Sequence, residues 1–322
     1  MTVAQCGMRS PTQRNLDFSA ISALVQPVFG VDVSTATELS GGGFAAVWRA
    51  GLADGRELVV KVGPPADARL LRYEHGLVAA EAAYFRTVRA GAPAVPVPEV
   101  LHVGDDWIVT TLLPGRSLTD LPDSAGPSGK AGIREQLGVA IAGLHRLTGP
   151  HFGYTGARPS GADWPTAYGA IIAALLADAA DWAVPLPPGI GTLADRHRAA
   201  LATATRPALL HFDLWDGNVL AADGRLTGLV DGERFLWGDP LLDLVSPALF
   251  RRIEDEPEHP FLRGYAGATG LVLDDAARTR LRLCRVHLHL LMLAEGPSRG
   301  IPVGSERHDY LTGLLEGELR DL

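Results

Sequence analysis

The feature that most constrains the fold is a change in the secondary-structure pattern along the chain. Its first third contains short β-like runs, two of which flank an Asp54-Gly55 turn and so predict a β-hairpin. The remainder has a mainly helical pattern, apart from one β-rich island at Leu209–Val230. Strands followed by helices are typical of an α+β fold. We therefore predict two lobes, a β-rich N-terminal lobe over residues 1–112 and a helical C-terminal lobe over residues 113–322.

Composition and charge exclude several classes of protein. With 322 residues, 47% of them apolar, the chain can bury a sizeable core in each lobe. The net charge of -8 argues against nucleic acid as a partner, because a nucleic-acid binder needs a surplus of Lys and Arg. The cysteines, Cys6 and Cys284, are too few for a disulfide framework.

The ends and apolar runs of the chain bear on its location. Residues 1–16 are polar, so we expect them to be flexible, and they lack the apolar run of a secretory signal. Uninterrupted apolar runs of about 18 residues are absent, so we expect no transmembrane helix and no membrane partner. The prediction is a cytoplasmic protein.

Lys61 and Glu81 are charged residues in otherwise apolar patterns. Lys61 lies in a β-like run, and Glu81 lies in the apolar stripe of the helix predicted over Leu71–Arg89. A carboxylate on a buried face needs a cation or several donors, because desolvating it unpaired costs several kcal/mol. A strand lysine 20 residues before a helical glutamate is the arrangement that kinases use to hold phosphates. Glu74 is an alternative partner, and an exposed edge-strand lysine is the alternative interpretation of Lys61.

A glycine run precedes the lysine strand. Ser40, Gly41, Gly42 and Gly43 form a turn between two β-like runs. Such turns let backbone N–H groups approach phosphate oxygens, so we predict that these four residues contact the nucleotide. No Gly-Lys-Ser/Thr follows, so this is not a Walker loop, and an ordinary flexible turn is the competing interpretation.

The strongest signal is the polar loop His211–Asn218 inside the β-rich island. A returning strand ends at Asp231, so the strands would bring the loop and Asp231 together. Phosphoryl transfer needs a carboxylate that accepts the proton of the attacking hydroxyl, and it needs oxygen ligands for Mg²⁺. Asp213 and Asn218 are five residues apart, the spacing in the catalytic loop of kinases, and Asp231 offers a second acidic ligand. The competing interpretation is an Asp/Asn-rich turn with a capping aspartate.

The segments HFDLWDGN, LVDGE and GDPLLDL resemble the aminoglycoside phosphotransferase and fructosamine kinase-like group of small-molecule kinases. The resemblance covers roughly residues 38–245 and implies a protein-kinase-like fold with ATP bound between the lobes. It also implies that Asp213 is the catalytic base and that Asn218 and Asp231 bind Mg²⁺.

The same resemblance implies roles for residues outside the loop. Lys61 and Glu81 would form an ion pair. The segment Thr110–Leu113 would be the hinge, and the backbone of Thr110 and Leu112 would contact the purine. Three further residues would brace the loop rather than react: His211, Asp239 and Asp243.

Two positions depart from the pattern of the antibiotic kinases. Trp215 stands where those kinases often carry His, and a tryptophan there is more similar to the ketosamine kinases. The metal motif continues as Gly232-Glu233, whereas ketosamine kinases tend to have proline after the aspartate. Glu233 is interpreted either as a structural acid or as a ligand of metal or substrate, and the chain lies between the two subfamilies.

A small molecule is the predicted acceptor. Asp239 follows Asp231 by only eight positions, which is too few for an activation segment that docks a protein substrate. Carboxylates and aromatic residues that could line an acceptor pocket would suit a cationic amino sugar, although each has an ordinary structural interpretation: Asp163, Trp164, Tyr168, Asp178, Asp181, Trp182 and the acidic run 254–258.

Three functions follow from these observations. The first is an ATP-dependent kinase that phosphorylates a hydroxyl of an aminoglycoside-like or amino-sugar acceptor, in the manner of antibiotic-resistance enzymes. The second is a metabolic kinase for a ketosamine, a simple sugar or a nucleoside. The third is a non-catalytic nucleotide-binding homologue, which the joint presence of Lys61, Asp213, Asn218 and Asp231 disfavours.

Overall fold

The computed structural model describes residues 9–39, 42–123, 126 and 128–322. Ser40 and Gly41 of the predicted nucleotide turn, and Cys6, lie outside these residues. None of the helices in the described part of the chain combines the length and the apolar character needed to span a membrane.

An antiparallel five-stranded sheet forms the N-terminal region, in the order β1-β2-β3-β5-β4. The predicted hairpin at Asp54-Gly55 is confirmed as β2–β3, in which Val47 lies opposite Lys61. The strands are β1 (Val33–Leu39), β2 (Ala46–Leu52), β3 (Glu57–Val62), β4 (Val100–Val103) and β5 (Trp107–Thr111). The predicted boundary after residue 112 falls just beyond the end of β5.

Two helices cover the two faces of this sheet. Helix α1 (Phe18–Phe29) begins at the capping side chain of Asp17 and buries Ile21 and Val25 against the strands. Helix α2 (Leu77–Gly91) packs Val78 and other apolar side chains on the opposite face. Glu81 therefore points toward the sheet from a buried helical face.

The prediction that α2 begins at Leu71 is wrong. The helix begins at Leu77, because Gly76 adopts a φ of 74° in the left-handed region and ends the helical pattern there. The preceding residues form a short 3-10 turn, Arg72–Glu74, whose side chains reach the C-terminal region. Sequence periodicity alone does not separate such a turn from the first turn of an α-helix.

The C-terminal region is mainly helical, as predicted. Helices α3 and α7 approach each other closely, because a Cβ atom at Gly138 or Gly264 would overlap the backbone of the other helix. The long helix α8 is buried along most of its length and lies at the centre of the C-terminal core. The helices are α3 (Lys130–Leu144), α4 (Trp164–Asp181), α5 (Leu193–Arg196), α6 (Arg198–Leu201), α7 (Pro260–Thr269), α8 (Asp275–Glu295) and α9 (Glu306–Arg320).

Two small sheets place the β-rich island within this helical region. One has the order β11-β10-β6 and the other the order β8-β7-β12-β9. The island is confirmed, but several two- and three-residue strands outside it are too short to give a sequence signal. The strands are β6 (Arg116–Ser117), β7 (Phe152–Gly153), β8 (Ser160–Gly161), β9 (Ala208–Leu210), β10 (Val219–Ala222), β11 (Arg225–Leu229) and β12 (Leu236–Gly238).

Candidate active site

The polar loop His211–Asn218 joins β9 to β10 and begins with a strained residue. Phe212 has a φ of 69°, a left-handed conformation that costs a residue with a Cβ roughly 1–2 kcal/mol. Its backbone N–H donates to Asp243 Oδ1 at 2.6 Å, and its ring stacks on His287 with 4.7 Å between centroids. These contacts offset the strain and fix the direction in which the chain enters Asp213.

The side chain of Asp243 contacts two consecutive residues of the loop. Its carboxylate is fully buried and also accepts from the backbone N–H of His211 at 2.9 Å. The ring of His145 lies 3.0 Å from the same carboxylate through Nε2. A buried carboxylate with several donors is well stabilised, and it in turn holds two consecutive peptide groups in place. This geometry is what the bracing role predicted for Asp243 requires.

The tautomer of His211 follows from its partners. The backbone N–H of Asp213 donates to Nδ1 at 3.3 Å, so Nδ1 carries no proton. The other nitrogen, Nε2, therefore carries the proton and donates to the carbonyl of Val230 at 3.0 Å. Burial lowers the pKa of His211 despite the nearby carboxylates, which agrees with a neutral ring. His211 thus links the loop to the strand end and has no free nitrogen for proton transfer.

Asp213 and Asn218 are joined across the loop. The Asn218 side-chain amide donates through Nδ2 to the backbone carbonyl of Asp213 at 2.9 Å. Asp213 is half-buried, and burial raises its pKa, while the charge of Arg234 opposes that rise. A carboxylate of raised basicity that stays accessible can accept a proton from a bound hydroxyl.

Lys61 is surrounded by three carboxylates, one from α2 and two from the turn at Asp231. Its Nζ lies 2.7 Å from Glu81 Oε2, 2.8 Å from Asp231 Oδ1 and 2.6 Å from Glu233 Oε2. Burial alone would lower the pKa of Lys61, but the three negative charges outweigh it and raise the pKa well above the usual value. Burial raises the pKa of Glu81 to about 7, and the carboxylates of Asp231 and Glu233 add to that rise.

The alternative partner Glu74 is engaged elsewhere. Its carboxylate accepts from the backbone N–H of Leu71 at 2.8 Å and pairs with Arg299. The Lys61–Glu81 contact is therefore the one present in the structure, and Lys61 is not an exposed edge-strand lysine, since its side chain is only 8% exposed.

Glu233, whose role the sequence left open, lies in the same cluster as Lys61 and Glu81. It is buried in the turn after Asp231, and its distance of 2.6 Å to Lys61 is as short as that of Glu81. The turn needs Gly232, because a Cβ there would overlap the ring of Tyr84 on α2. That packing explains why a proline does not follow Asp231 in this chain.

The glycine turn is held by the segment before α1. Thr12 donates through Oγ1 to the carbonyl of Gly43 at 3.0 Å, and Gln13 donates through Nε2 to the carbonyl of Gly42 at 2.9 Å. Arg299 of the C-terminal region lies beside Gly43. Residues 9–14 belong to the segment expected to be flexible, yet they connect the turn to both regions of the molecule. No sequence signal marks Thr12 or Gln13.

The predicted hinge lies at the end of β5. Thr110 is buried and lies opposite Val59 of β3 and Val100 of β4. Leu112 follows the last residue of the strand, so its peptide groups lie outside the sheet pairing. Within the segment, Leu112 is thus better placed than Thr110 to offer backbone groups to a base.

Comparisons with known proteins agree with this geometry. The model of the phosphotransferase enzyme family matches residues 35–284. The chain belongs to the phosphotransferase enzyme family. No curated protein sequence matches it.

Solved structures of similar fold include phosphotransferases named for three classes of substrate. A putative fructosamine-3-kinase from Thermobifida fusca YX-ER1 is 24% identical with a TM-score of 0.71, over 94% of this chain and 100% of that one. A thermostable mutant of aminoglycoside phosphotransferase APH(4)-Ia, in complex with ADP and hygromycin B, is 20% identical with a TM-score of 0.63, over 93% and 98%. A macrolide 2'-phosphotransferase from Brachybacterium faecium is 19% identical with a TM-score of 0.61, over 93% and 97%.

The family and the fold confirm the coarse predictions. The chain is a phosphotransferase with a protein-kinase-like α+β fold, and the prediction of an ATP-dependent enzyme with an alcohol group as acceptor is confirmed. The roles predicted for individual residues of this phosphotransferase stay predictions, for which the distances above are the structural basis.

The residues expected to line an acceptor pocket serve other purposes in this phosphotransferase. Asp178 and Asp181 pair with Arg72 at 2.6 and 2.8 Å. Trp164 and Tyr168 are core residues, each 1% exposed. Several of the remaining candidates are capped or paired: Asp163 caps α4, Trp182 stacks under Arg69, Glu254 pairs with Arg285, and Glu256 pairs with Arg251. Asp255 and Glu258 are exposed. Most of these residues are therefore already engaged in structural contacts.

Proposed function

We propose that this phosphotransferase transfers the γ-phosphoryl group of ATP directly to a hydroxyl of a sugar-like small molecule. The observation that carries the proposal is the convergence of Lys61 and the braced loop. Lys61 contacts Asp231 at 2.8 Å, and the strand end before Asp231 is bonded to the loop through Asn218 and His211. These contacts bring together the proposed phosphate-binding lysine, the proposed metal ligand Asp231 and the loop that carries the proposed base.

Asp213 is the proposed base. Its carboxylate would accept the proton of the acceptor hydroxyl while that oxygen forms the new bond to the γ-phosphorus. The bond from the γ-phosphorus to the bridging oxygen breaks, and ADP leaves with that electron pair. Lys61 would stabilise the negative charge of the phosphates, and Glu81 would keep the ammonium directed toward them.

The residues present fit Mg²⁺. Carboxylate oxygens of Glu81, Asp231 and Glu233 can lie within 4.8 Å of one another, and oxygen donors are those that Mg²⁺ prefers. Asn218 uses its amide nitrogen on Asp213, so its amide oxygen is the atom left for the metal. Asp231 and Asn218 would hold the ion, which when bound supplies positive charge against the phosphates.

The acceptor is proposed to be a ketosamine or a simple sugar derivative rather than a polycationic aminoglycoside. Most of the acidic side chains expected to receive such a polycation are already paired with arginines. The fold similarity to a putative fructosamine-3-kinase, with a TM-score of 0.71, supports the same choice, as does Trp215 in the loop.

Mg²⁺-dependent release of ADP tests the proposal. Purified protein would be assayed with aminoglycosides, amino sugars, ketosamines, simple sugars and nucleosides, with Asp213→Asn as the control. We expect release that depends on a ketosamine or sugar and that disappears in the control. Release with aminoglycosides alone would contradict the proposed acceptor class, and failure to bind ATP would contradict the function itself.

A further inference from the structure

Three segments meet at one end of the small sheet β8-β7-β12-β9. Leu236 of β12 lies opposite Leu210 of β9, and Trp237 lies opposite Gly153 of β7. Because both pairings are antiparallel, the loop after β9, the residues before β12 and the residues after β7 leave the sheet at the same end. Asp213, Arg234 and Tyr154 follow or precede these strand ends by one to three residues.

Direct contacts connect these segments. Arg234 pairs with Glu295 at 2.9 Å, and the hydroxyl of Tyr73 donates to the same carboxylate. The Tyr73 ring stacks on that of Tyr154, with 6.2 Å between centroids. Arg234 is also close enough to Asp213 to lower the pKa of the Asp213 carboxyl against the effect of burial. These contacts connect Asp213 to Tyr154 through largely buried side chains.

Arg158 lies beside Tyr154, and its charge is unpaired among the described residues. Its side chain lies over the Tyr154 ring at 5.0 Å, and the residue is 7% exposed. Its Nε and Nη2 donate to the carbonyl and the hydroxyl of Thr155 at 3.1 and 3.0 Å. Its Nη1 and the hydroxyl of Tyr154 are both buried and have no hydrogen-bond partner among the described residues. A buried guanidinium without a carboxylate partner is costly, and burial lowers the pKa of Arg158 accordingly.

The acidic side chains near Tyr154 are paired with other arginines. Glu74 and Glu295 are paired with Arg299 and Arg234, respectively. Arg158 forms no ion pair among the described residues, so its guanidinium can attract an anion and repel a cation.

We propose that Arg158 and Tyr154 bind an oxyanion, either a carboxylate or a phosphate ester, on the acceptor molecule. The inference rests on the proposed function, since it names the chemistry of the acceptor for the same site. A guanidinium nitrogen and a phenol hydroxyl are donors that match carboxylate and phosphate oxygens. Binding there would hold the acceptor on the Asp213 side of the cleft and would select against polycations.

The first experiment measures the anion site without catalysis. The unfolding temperature of protein saturated with Mg²⁺ and AMP-PNP is measured in sodium sulfate and in sodium chloride of equal ionic strength. At sulfate concentrations about tenfold above its Kd, the unfolding temperature of the wild type should rise by about 2–4 °C. Arg158→Met should lose this rise, whereas Arg198→Met, which removes an exposed arginine paired with Asp163, should keep it. An equal rise in all three proteins would overturn the anion site.

The second experiment uses pairs of acceptors that differ by one anionic group. Fructosyl-glycine is compared with fructosyl-methylamine for the carboxylate, and ribose 5-phosphate with ribose for the phosphate ester. We expect kcat/KM at least tenfold higher for the charged member of one pair, and the pair identifies the group. Arg158→Met should reduce that ratio at least tenfold, and Arg158→Lys should restore part of it. Equal ratios in wild type and Arg158→Met would contradict the proposal.

Together, the two experiments distinguish the anion site from the proposed kinase function. A sulfate effect that depends on Arg158, with no acceptor turned over, would support the anion site and contradict the proposed kinase acceptors. Turnover that prefers uncharged members, with no sulfate effect, would support the kinase and overturn the anion site.

Discussion

The loop His211–Asn218 and the glycine turn, for which we propose roles in the same reaction, are held by different interactions. The loop is fixed by the buried carboxylate of Asp243, which accepts from two consecutive backbone N–H groups at 2.9 and 2.6 Å. The glycine turn is fixed by side chains of Thr12 and Gln13 that donate to its carbonyls, and Gly42 is exposed. Charged, buried hydrogen bonds are stronger than neutral ones near solvent.

The difference teaches how the two halves of the site divide their tasks. A catalytic base has to stay within hydrogen-bond reach of a hydroxyl, so a loop that carries one needs a single conformation. A turn that covers phosphates has to admit and release a nucleotide, so weaker attachments suit such a turn. Substitutions should therefore have larger effects at the loop than at the turn.

The largest effect is expected at Asp213. Asp213→Asn keeps the shape of the side chain but removes the base, so kcat should fall by a factor on the order of 10² or more. Affinity for Mg·ADP should stay within about twofold, because the loop backbone is held by Asp243. Steady-state kinetics and a fluorescent-ADP titration measure the two quantities. Loss of ADP binding would assign Asp213 a structural role.

The next effect is expected at Asp243. Asp243→Ala leaves two backbone N–H groups and His145 without their acceptor, so the free energy of unfolding should fall by about 3 kcal/mol. Urea unfolding followed by circular dichroism measures this loss. The matched control is Glu256→Ala, whose exposed pair with Arg251 should cost less than about 1 kcal/mol. Equal losses would show that Asp243 does not brace the loop.

Lys61→Met should change how stability depends on pH. Without the ammonium, the neighbouring carboxylates Glu81, Asp231 and Glu233 repel one another, and the pKa of Glu81, already raised to about 7 by burial, rises further. A carboxyl whose pKa is higher in the folded state stabilises the fold at low pH and loses that contribution as pH rises through the folded value. The unfolding temperature of the variant should therefore drop between pH 6 and pH 8 by more than that of the wild type.

The same variant should also bind nucleotide more weakly. Lys61 is the cation expected at the phosphates, so the Kd for Mg·ADP should rise roughly tenfold, while the Kd for adenosine should not change. Isothermal titration calorimetry measures both. Equal weakening of the two ligands would contradict the phosphate role of Lys61.

The smallest effect is expected at the glycine turn. Gln13→Ala removes neutral hydrogen bonds to Gly42 and Ala45, each worth about 1 kcal/mol, so the KM for ATP should rise about fivefold with kcat nearly unchanged. Gln26→Ala, an amide in α1 that contacts Asp32 instead, is the control. A fall in kcat as large as that of Asp213→Asn would remove the distinction between loop and turn.

The sequence by itself determined the family, the order of strands before helices and the position of the β-rich island with its polar loop. These features are local: a hairpin turn, an apolar alternation and a fixed spacing from Asp213 to Asn218 are all readable within a few residues. The Lys61–Glu81 pair was also readable, because a charge in an apolar stripe implies a partner.

Only the tertiary structure decided what surrounds that island. Glu233 joined the carboxylates at Lys61 because the backbone turns at Asp231, with a φ of 58°, and Gly232 packs on Tyr84. Thr12 and Gln13 reached the glycine turn from a polar segment without periodicity. Arg158 lies between the short strands β7 and β8, where it is buried and has no acidic partner among the described residues. Such contacts join residues far apart in sequence, so their energies depend on packing and have no local pattern that a sequence can display.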